Sequence, residues 1–322
     1  MATPADVQHW DELLVATGQP HILQSFGWGE LRAALGWNVR RFILDGGVAQ
    51  VLLKPLPLGL SVAYAPRGPL VAPEHLAEAI AAVRSSLAEE RCASLLCDPE
   101  ARDDPAVRAG LARAGVRPSP VFVQPRRTLL MDLSKSDEEL FAAMRKKTRQ
   151  YIHKAERAAV VTEEKRDLDR FMTVLAAVAE RDRFAIRSRE YFERLLAAFG
   201  DRAHVMFARV GEDDAGAMLL VRMADRAWEL YGGWSGAHAE ARPFYLLKWR
   251  AMLRMRQLGV RRYDMYGLGE GKGDPLAGVE NFKLGYGGEV VEWIGALETP
   301  VRPLLYPLWQ LGARRRLARS AA

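Results

Sequence analysis

The chain has 322 residues, of which 49% are apolar and 27% charged, with two cysteines, six histidines and a net charge of +6. Its length predicts about two domains, each large enough to fold around a core without a disulfide or metal staple. Because it shows neither a signal peptide nor an apolar run of roughly 18 to 20 residues, we expect a cytoplasmic protein, soluble or peripheral to the cytoplasmic membrane.

A series of short strands and two helices is predicted in the first part of the chain. Ser25 is expected to cap a helix that begins within the stretch 24–32. Apolar residues recur at helical spacing between residues 73 and 90. Strands are expected at 38–44, 48–53, 61–64 and 93–97, with a glycine turn between the first two.

The two cysteines, Cys92 and Cys97, flank the last of these strands. An odd spacing within a strand places them on opposite faces, where they cannot form a disulfide. We therefore expect both to be small buried apolar residues.

The second half repeats this order of elements. Strands are predicted at 204–210, 217–221, 228–231 and 260–266, with a helix at 243–258 before the last one. Three pairs of landmarks are each separated by 167 to 169 residues: Gly47 and Gly216, Tyr64 and Tyr231, and Leu95 and Tyr263. Such a constant offset indicates an internal duplication.

Hairpin-linked strands, a helix and a further strand in each half predict an α+β, or mixed α/β, fold. The order fits two tandem N-acetyltransferase (GNAT)-like lobes. We place the first lobe at residues 1–148 and the second at 149–299, and we expect the segment 300–322 to pack back on the first lobe. Near the seam, Ser134 is expected to cap a helix.

Basic residues are concentrated in two places. The first is a predicted helix at 145–157, whose cations include Lys146, Lys147, Arg149 and Lys154. It suits a polyanion such as RNA or a phosphorylated precursor, and a solvated helix face is the alternative. The second follows the apolar stretch 304–311 and contains the arginines 314–316 and 319. That pattern suits a peripheral membrane contact, or burial of its apolar part on the first lobe.

Several common catalytic signatures are absent from the sequence. The six histidines lack metal-ligand spacing, and we expect neither a metal nor a cofactor. The glycine-rich run 267–273 has no Ser or Thr after Lys272, and Asp274 and Pro275 follow in place of a helix. A mobile loop is therefore favoured there over a phosphate-binding loop.

Seven short motifs, taken in chain order, point to one family. They are Gln24-Ser25 with Trp28, Tyr64-Ala65-Pro66-Arg67-Gly68-Pro69, Asp132-Leu133-Ser134, Tyr231-Gly232-Gly233, Tyr245-Leu246-Leu247-Lys248-Trp249, Tyr263-Asp264-Met265-Tyr266-Gly267 and Phe282-Lys283-Leu284-Gly285-Tyr286-Gly287. From about residue 20 to residue 298, the chain resembles the FemABX family of aminoacyl-tRNA-dependent peptidoglycan bridge transferases. The resemblance implies two GNAT-like lobes, in agreement with the repeat. Since residues 155–231 have room only for helices at 168–181 and 189–198, it implies the form of the family that lacks a helical-hairpin arm.

The resemblance also implies a reaction and its partners. A side-chain amine on the stem peptide of a lipid-linked or UDP-linked muropeptide precursor attacks the ester carbonyl of aminoacyl-tRNA. Because that ester is already activated, the protein has to position the amine and stabilise the oxyanion, and it needs no covalent nucleophile. This requirement fits a sequence without a triad, metal site or reactive cysteine.

Individual site residues follow from the motif matches. Lys283 matches a position that binds the developing oxyanion or the tRNA terminus, and Phe282 matches one that walls the site. Arg32 and Arg187 match positions that hold the precursor diphosphate, although lysine is usual at the first of them. The remaining implied substrate-binding residues are Tyr64, Arg67, Asp98, Tyr231 and Tyr245. For Asp98, capping of a helix at 99–100 is the alternative.

Two other functions are compatible with parts of the sequence. An acyl-CoA-dependent N-acyltransferase shares the fold, but its Arg/Gln-x-x-Gly-x-Gly/Ala turn ahead of a helix is missing. A non-catalytic RNA-binding protein needs stacking aromatics beside the basic helix, where only Tyr151 occurs. Aminoacyl transfer is therefore the predicted function.

Overall fold

The computed structural model describes residues 3–4, 9–121, 123–183, 185–269, 277–307 and 309–310. It divides into two compact units, Met1–Arg126 with Glu292–Ala322, and Arg127–Val291. In the described part of the chain, no helix is long and apolar enough to cross a membrane.

The first unit begins with one short strand and two short helices. Its elements up to residue 118 are β1 (Thr3–Pro4), α1 (Trp10–Ala16), α2 (Phe26–Ala34), β2 (Asn38–Leu44), β3 (Gly47–Leu56), β4 (Leu60–Ala65), α3 (Leu76–Ser86), β5 (Cys92–Cys97), α4 (Pro105–Arg113) and β6 (Arg117–Pro118). Ser25 caps α2 as predicted, because its hydroxyl accepts a hydrogen bond from the backbone N–H of Trp28.

The second unit repeats this order with an additional pair of helices. Its elements are β7 (Arg127–Asp132), α5 (Asp137–Ala143), α6 (Lys146–Arg157), β8 (Val161–Glu164), α7 (Leu168–Asp182), α8 (Arg189–Phe199), β9 (Ala203–Val210), β10 (Asp213–Met223), β11 (Arg226–Trp234), α9 (Pro243–Gln257), β12 (Arg262–Asp264), α10 (Ala277–Leu284) and β13 (Glu289–Glu292). The chain then returns to the first unit with β14 (Leu297–Pro300). Among the described residues between α6 and β9, no helical-hairpin arm is inserted beyond α7 and α8.

Each unit is built on a sheet of seven strands within the described residues. The strand orders are β1-β2-β3-β4-β5-β14-β6 and, from the opposite edge, β8-β9-β10-β11-β12-β7-β13. In both sheets the fourth and fifth strands are parallel and the sixth is antiparallel to the fifth. The two orders correspond strand for strand, which confirms the mixed α/β fold of two tandem GNAT-like lobes.

Each sheet has its own apolar core. In the first unit, α3 buries Leu76, Ile80 and Val83 at the predicted helical spacing against the sheet. In the second, α9 buries Leu247 and Ala251 on the equivalent sheet. Both cysteines are free and buried in the first unit, as expected. They belong to one apolar cluster, however, so the prediction that they lie on opposite faces of the strand is not confirmed.

The boundary between the units differs from the predicted one at 148/149. The structure places it at residue 126, because β7 pairs with β12 and therefore belongs to the second sheet. It also returns the chain to the first unit at Glu292, since β14 pairs with β5. A basic helix suggested a linker, but the strand that precedes it completes the second sheet. Arg302, beyond β14, donates a 2.9 Å hydrogen bond to the carbonyl of Ala88 in the first unit.

The predicted helix cap at Ser134 is wrong by two residues. Ser136 caps α5 in a capping box, in which its hydroxyl accepts from the Glu139 N–H and the Glu139 carboxylate accepts from the Ser136 N–H. Ser134 instead donates to the carboxylate of Asp132. Both serines fit the sequence pattern of a cap, and the three-residue spacing to a glutamate distinguishes them.

Candidate functional site

The segment at the end of α10 packs tightly against the start of α6. The carbonyl of Gly285 accepts a 2.9 Å hydrogen bond from the backbone N–H of Arg145. A Cβ on Gly285 would overlap the hydroxyl of Thr148, and a Cβ on Gly287 would lie 2.9 Å from the Ala143 carbonyl oxygen. Gly287 also has a φ of 83°, which disfavours other residues. The glycines of the Phe-Lys-x-Gly-Tyr-Gly motif are therefore required by this close approach.

Lys283 lies on the last turn of α10 and is held by backbone carbonyls. Its ammonium donates to the carbonyl oxygens of Tyr266 and Gly267, the latter at 2.7 Å, in the segment that follows β12. Burial, followed by the positive charge of Lys248, lowers the pKa of Lys283 to about 8. At pH 7 the side chain is therefore still mainly protonated, and it titrates close to physiological pH.

A buried ion pair lies next to this lysine. Lys248 on α9 is 2% exposed and donates to one carboxylate oxygen of Glu229 on β11. The other oxygen of Glu229 accepts a 2.7 Å hydrogen bond from the hydroxyl of Tyr263 on β12. Burial raises the pKa of Tyr263 well above its usual value, which keeps this hydroxyl as a donor.

Aromatic rings, among them Phe282 next to Lys283 in the chain, lie around the Lys248 ammonium group. The Phe282 ring contacts Tyr245 edge-to-face at 4.8 Å between centroids and stacks on Phe244 at 5.7 Å. Tyr245 in turn contacts Tyr151 of α6 at 4.8 Å. The hydroxyl of buried Tyr286 donates a 3.0 Å hydrogen bond to the Tyr245 carbonyl. The structure thus brings Lys283, Phe282 and Tyr245 together in a half-buried, largely aromatic site.

Tyr231 and Arg187 belong to a neighbouring aromatic group in the same unit. The hydroxyls of Tyr231 and Tyr191 lie 2.9 Å apart, and the Tyr231 ring contacts Phe192 at 4.9 Å. The exposed Arg187 places its guanidinium 5.6 Å from the centroid of the Tyr191 ring. Within the described residues, no ring contact joins this group to Phe282 or Tyr245, so Tyr231 has a different set of neighbours from Phe282.

In the first unit, Tyr64, Arg67 and Asp98 form one buried polar cluster. The Asp98 carboxylate accepts from the Tyr64 hydroxyl and from the Arg67 backbone N–H, both at 2.7 Å. Arg67, at a φ of 54°, donates to the Pro125 carbonyl at 2.8 Å. Burial raises the pKa of Asp98 to about 6, against the lowering effect of the Arg67 charge.

The alternative role of Asp98 as a helix cap is wrong. No helix begins at residues 99–100, which are described, and the next helix is α4, capped by Asp104. The carboxylate instead fixes the turn that contains Arg67. The Tyr-x-Pro-Arg-Gly-Pro motif is therefore a buried structural turn in the first unit.

Arg32 lies on α2 of the first unit. Its guanidinium stacks on Trp37, 4.7 Å from the ring centroid, and the ammonium of Lys54 lies 5.4 Å from the same ring. Arg32 and Lys54 thus present two cations around one indole. Arg32 and Arg187 belong to different units.

The cations predicted to bind a polyanion occupy α6. Lys146, Lys147 and Lys154 are exposed, and the Lys147 ammonium lies 5.6 Å from the centroid of the Tyr151 ring. Arg149 differs, because its guanidinium donates to the carbonyls of Ala142 and Met144 at the end of α5. The basic residues 314–316 and 319, the apolar residues 308 and 311, and Lys272 lie outside the described residues.

Histidines in the described part of the chain take part in ion-pair contacts. His204 Nδ1 lies 2.6 Å from the Glu164 carboxylate, and His238 Nε2 lies 2.9 Å from Asp213. Across the described residues, no three His, Cys, Asp or Glu side chains come together in a geometry that could hold a metal ion.

Sequence reasoning missed the Lys248–Glu229–Tyr263 cluster. Each of the three was part of a noted element, but none was assigned a role. A usable signal was present: Lys248 follows Leu247 on the buried face of a predicted helix, where lysine is rarely found without a partner. Its carboxylate partner stands in the predicted strand 228–231, which the same helix covers.

The chain contains two GNAT-like sheets in tandem, and these define it as a tandem GNAT-fold protein. Its site lysine, Lys283, is bound at the end of the fifth strand of the second sheet, beside the aromatic residues. Among solved structures, FemX superposes with a TM-score of 0.85 at 20% identity, over 97% of this chain and 99% of that one. A tandem GNAT protein from the clavulanic acid biosynthesis pathway gives a TM-score of 0.56 at 17% identity, over 94% and 99% of the two chains. At these identities the similarity establishes the fold.

Sequence comparison identifies the family. A sequence model of the FemAB family matches residues 119–215 and 211–314, which is more than half of the chain. The protein belongs to the FemAB family. Lipid II:glycine glycyltransferase of Staphylococcus aureus (strain MRSA252) is 28% identical over 212 residues, which are 59% of this chain and 50% of that protein. The matched region thus spans about half the length of the curated relatives.

Proposed function

We propose that this protein transfers an aminoacyl group from aminoacyl-tRNA to a side-chain amine on the stem peptide of a peptidoglycan precursor. The observation that carries the proposal is the ammonium of Lys283, anchored on two carbonyls at the edge of an aromatic site. Membership of the FemAB family and similarity to a lipid II:glycine glycyltransferase support it.

In the proposed reaction, the amine nitrogen bonds to the ester carbonyl carbon of aminoacyl-tRNA. The carbonyl oxygen takes up negative charge, the C–O bond to the ribose breaks, and the proton lost by the amine is taken up by the ribose oxygen. Lys283 donates a hydrogen bond to the transient oxyanion, or to the tRNA terminus. Phe282 and Tyr245 wall the site and exclude water, which strengthens this electrostatic contact.

The remaining predicted residues that are at least partly exposed are proposed to contact either the acceptor or the tRNA. Tyr231 and Tyr245 are half-buried and Arg187 is exposed, so they are proposed to contact the acceptor or its diphosphate. Arg32, which keeps partial exposure on α2, is proposed for the same anion-binding role. Exposed Lys146, Lys147 and Lys154, with Arg149 at their margin, are proposed to contact the tRNA backbone.

The place of action is proposed from the same comparison. A lipid-linked acceptor is held at a membrane surface, and the basic residues 314–316 and 319 would favour an anionic lipid surface. Removing residues 312–322 should then reduce sedimentation with anionic vesicles. Unchanged sedimentation would argue against this part of the proposal.

The test measures transfer of label from a pool of charged tRNAs to the lipid-linked and UDP-linked precursors in parallel. Label that reaches either acceptor, and fails to reach it when the charged tRNA is treated with RNase before the reaction, supports the proposal, and the better acceptor identifies the substrate. Consumption of acyl-CoA without transfer from tRNA would instead support an acyl-CoA-dependent N-acyltransferase on this fold.

Lys283→Ala tests the assigned role. Removal of one oxyanion donor lowers turnover by roughly 10²–10³-fold, whereas exposed Lys165→Ala, outside the site, should leave it unchanged. Because the pKa of Lys283 is about 8, the advantage of wild type over Lys283→Ala should shrink as pH rises through about 8. An advantage that stays constant from pH 6 to 9.5 would contradict a protonated donor.

A further inference from the structure

The stability of the fold does not require a buried ion pair such as Lys248–Glu229. Both groups are almost completely removed from water, Lys248 at 2% and Glu229 at 9% side-chain exposure. Desolvating two charges costs several kcal/mol per ion, and buried ion pairs can often be replaced by apolar residues of similar volume without loss of stability. A contribution to folding therefore does not by itself explain this pair.

The duplicated fold provides an internal comparison. In the first sheet, α3 takes the place that α9 takes in the second, and it buries Leu76, Ala79, Ile80 and Val83. All residues of α3 are described, and its charged residues, Glu78 and Arg84, are not buried. The architecture thus packs this helix on its sheet without a charge, and the ion pair is particular to the lobe that carries Lys283.

The pair lies directly beside the proposed oxyanion donor. The Lys248 ammonium is 5.6 Å from the centroid of the Phe282 ring and 6.0 Å from that of Tyr286, distances at which a cation is attracted to the ring face. Its charge acts on Lys283 in opposition to the carboxylates of Glu229 and Asp264. Lys248 therefore touches the ring that precedes Lys283 and repels the ammonium itself.

The carboxylates around Lys283 are occupied by other partners. Asp264 on β12 accepts from the backbone N–H of Tyr266 at 2.7 Å and from the Thr128 hydroxyl. Glu229 on β11 accepts from Lys248 and Tyr263. An ammonium has three N–H donors. Within the described residues, two of the Lys283 donors bind backbone carbonyls, and the third is left for a further acceptor.

We infer that Lys248 is a positioning residue for the proposed transfer: by occupying Glu229, it keeps that carboxylate from capturing the Lys283 ammonium, which stays on the carbonyls of residues 266 and 267 with one donor available to a substrate oxygen. The charged and titratable groups that face Lys283 are Lys248 from α9, Glu229 from β11, and Asp264 with Tyr263 from β12. Buried Tyr286, from its own segment, completes this set. The inference rests on the proposed function for the reaction, but the contacts it concerns can be measured without substrate.

The first measurement is the pH dependence of Lys283 acetylation by acetic anhydride in the intact protein, read by peptide mass spectrometry. In Lys248→Met the midpoint should move to higher pH, because a repelling charge is lost and an unpaired carboxylate is gained. Lys248→Arg retains the charge and should stay near wild type, as should the exposed control Lys165→Met. A folded Lys248→Met with the wild-type midpoint would overturn the inference.

A double variant covers the case in which Lys248→Met does not fold. Lys248→Met with Glu229→Gln removes both charges while the Tyr263 hydroxyl keeps an acceptor. Because Lys248 affects Lys283 more strongly than Glu229 does, its midpoint should lie above wild type and below that of Lys248→Met. A midpoint below that of wild type would overturn the inference, because it would mean that Glu229 acts on Lys283 more strongly than Lys248 does.

The second measurement is transfer from aminoacyl-tRNA. Lys248→Met should lower kcat by about tenfold, less than the roughly 10²–10³-fold loss expected when the donor itself is removed, with little change in KM. The double variant should recover part of the loss, and Lys248→Arg most of it. Wild-type kcat in Lys248→Met would refute the positioning role. If the wild-type protein itself shows no transfer, the proposed function fails, while the acetylation experiment still decides the inference.

Discussion

Replacing Gly285 by alanine tests how the Phe-Lys-x-Gly-Tyr-Gly segment is held in place. The added Cβ would overlap the Thr148 hydroxyl and lie 3.0 Å from the Phe282 carbonyl oxygen. Thr148 is 4% exposed, so it cannot move aside without disturbing α6. Overpacking of this kind costs about 1–3 kcal/mol.

Gly278→Ala, in the helix α10 that directly precedes Gly285, is the matched control. Among the described residues, no atom lies within 4 Å of a Cβ at that position, and the backbone is not left-handed there. Alanine should therefore be neutral or stabilise the protein by up to about 1 kcal/mol. The two Gly→Ala variants should differ by about 2–3 kcal/mol, which corresponds to several degrees in Tm for a unit of this size.

Urea denaturation of wild type, Gly285→Ala, Thr148→Ala and the double variant forms a double-mutant cycle. Removing the hydroxyl relieves the overlap, so the double variant should be more stable than the sum of the single effects by about 0.5–3 kcal/mol. Transfer should fall in Gly285→Ala, because Lys283 lies two residues away. If Gly285→Ala is as stable as Gly278→Ala, or the cycle shows no coupling, the packing argument is refuted.

Three further predictions concern the rest of the molecule. Gly232→Ala should destabilise by more than about 2 kcal/mol, because φ is 140° and the Cβ would overlap the Ala217 carbonyl oxygen; a thermal melt within 2 °C of wild type would contradict this. Burial raises the pKa of Asp98 from 3.8 to about 6, so the folded protein binds more protons than the unfolded one between these values. Stability should therefore fall by about 3 kcal/mol as pH rises through this window, and urea titrations at pH 4 to 7 should show no such contribution in Asp98→Asn. Ser136→Ala should cost about 1 kcal/mol through loss of the capping box, whereas Ser134→Ala should cost less than about 0.5 kcal/mol; equal losses would mean that the cap is wrongly assigned.

Much of the fold could be predicted because the duplication repeats short, locally determined patterns. The hairpins that join β2 to β3 and β9 to β10, and the amphipathic helices, were recognisable from spacing alone, although Gly216 lies within β10 and not in the predicted turn. The places of β7 and β14 were not recognisable. β7 pairs with β12 in the second sheet and β14 pairs with β5 in the first, and which distant strand completes a sheet depends on long-range pairing. The unit boundary was misplaced for this reason.

The site was less predictable than the fold. Motif matches named Lys283 and Phe282. The structure brings Phe282 into contact with Tyr245 and Lys248, and it holds Lys283 on the carbonyls of Tyr266 and Gly267. The ion pair joins a strand and the helix that follows it, 19 residues apart, so the sequence indicates that Lys248 needs a partner but only packing shows that the partner is Glu229. The resemblance to the family identified the positions of the site residues, but only the packed structure shows which residues they contact.

The motif-derived residues also differ in whether a substrate can reach them. Arg67 and Asp98 are each 2% exposed, and both are hydrogen-bonded within the first unit. Lys283 also donates hydrogen bonds to backbone carbonyls, as Arg67 does, but part of its side chain is exposed. Asp98 and Arg67 are therefore expected to act by shaping the turn that follows Tyr64, and Lys283 by direct contact.

This distinction has a kinetic consequence. A residue that only shapes a turn should, when conservatively replaced, change stability and KM together, whereas a residue that contacts the oxyanion should change kcat with little change in KM. Arg67→Lys should accordingly lower Tm and raise KM for the acceptor, because lysine cannot reproduce the guanidinium contact with Pro125. Lys283→Met should lower kcat at nearly constant Tm. If Arg67→Lys instead lowered kcat alone, in a protein of unchanged stability, Arg67 would have to be in contact with the reacting groups despite its burial.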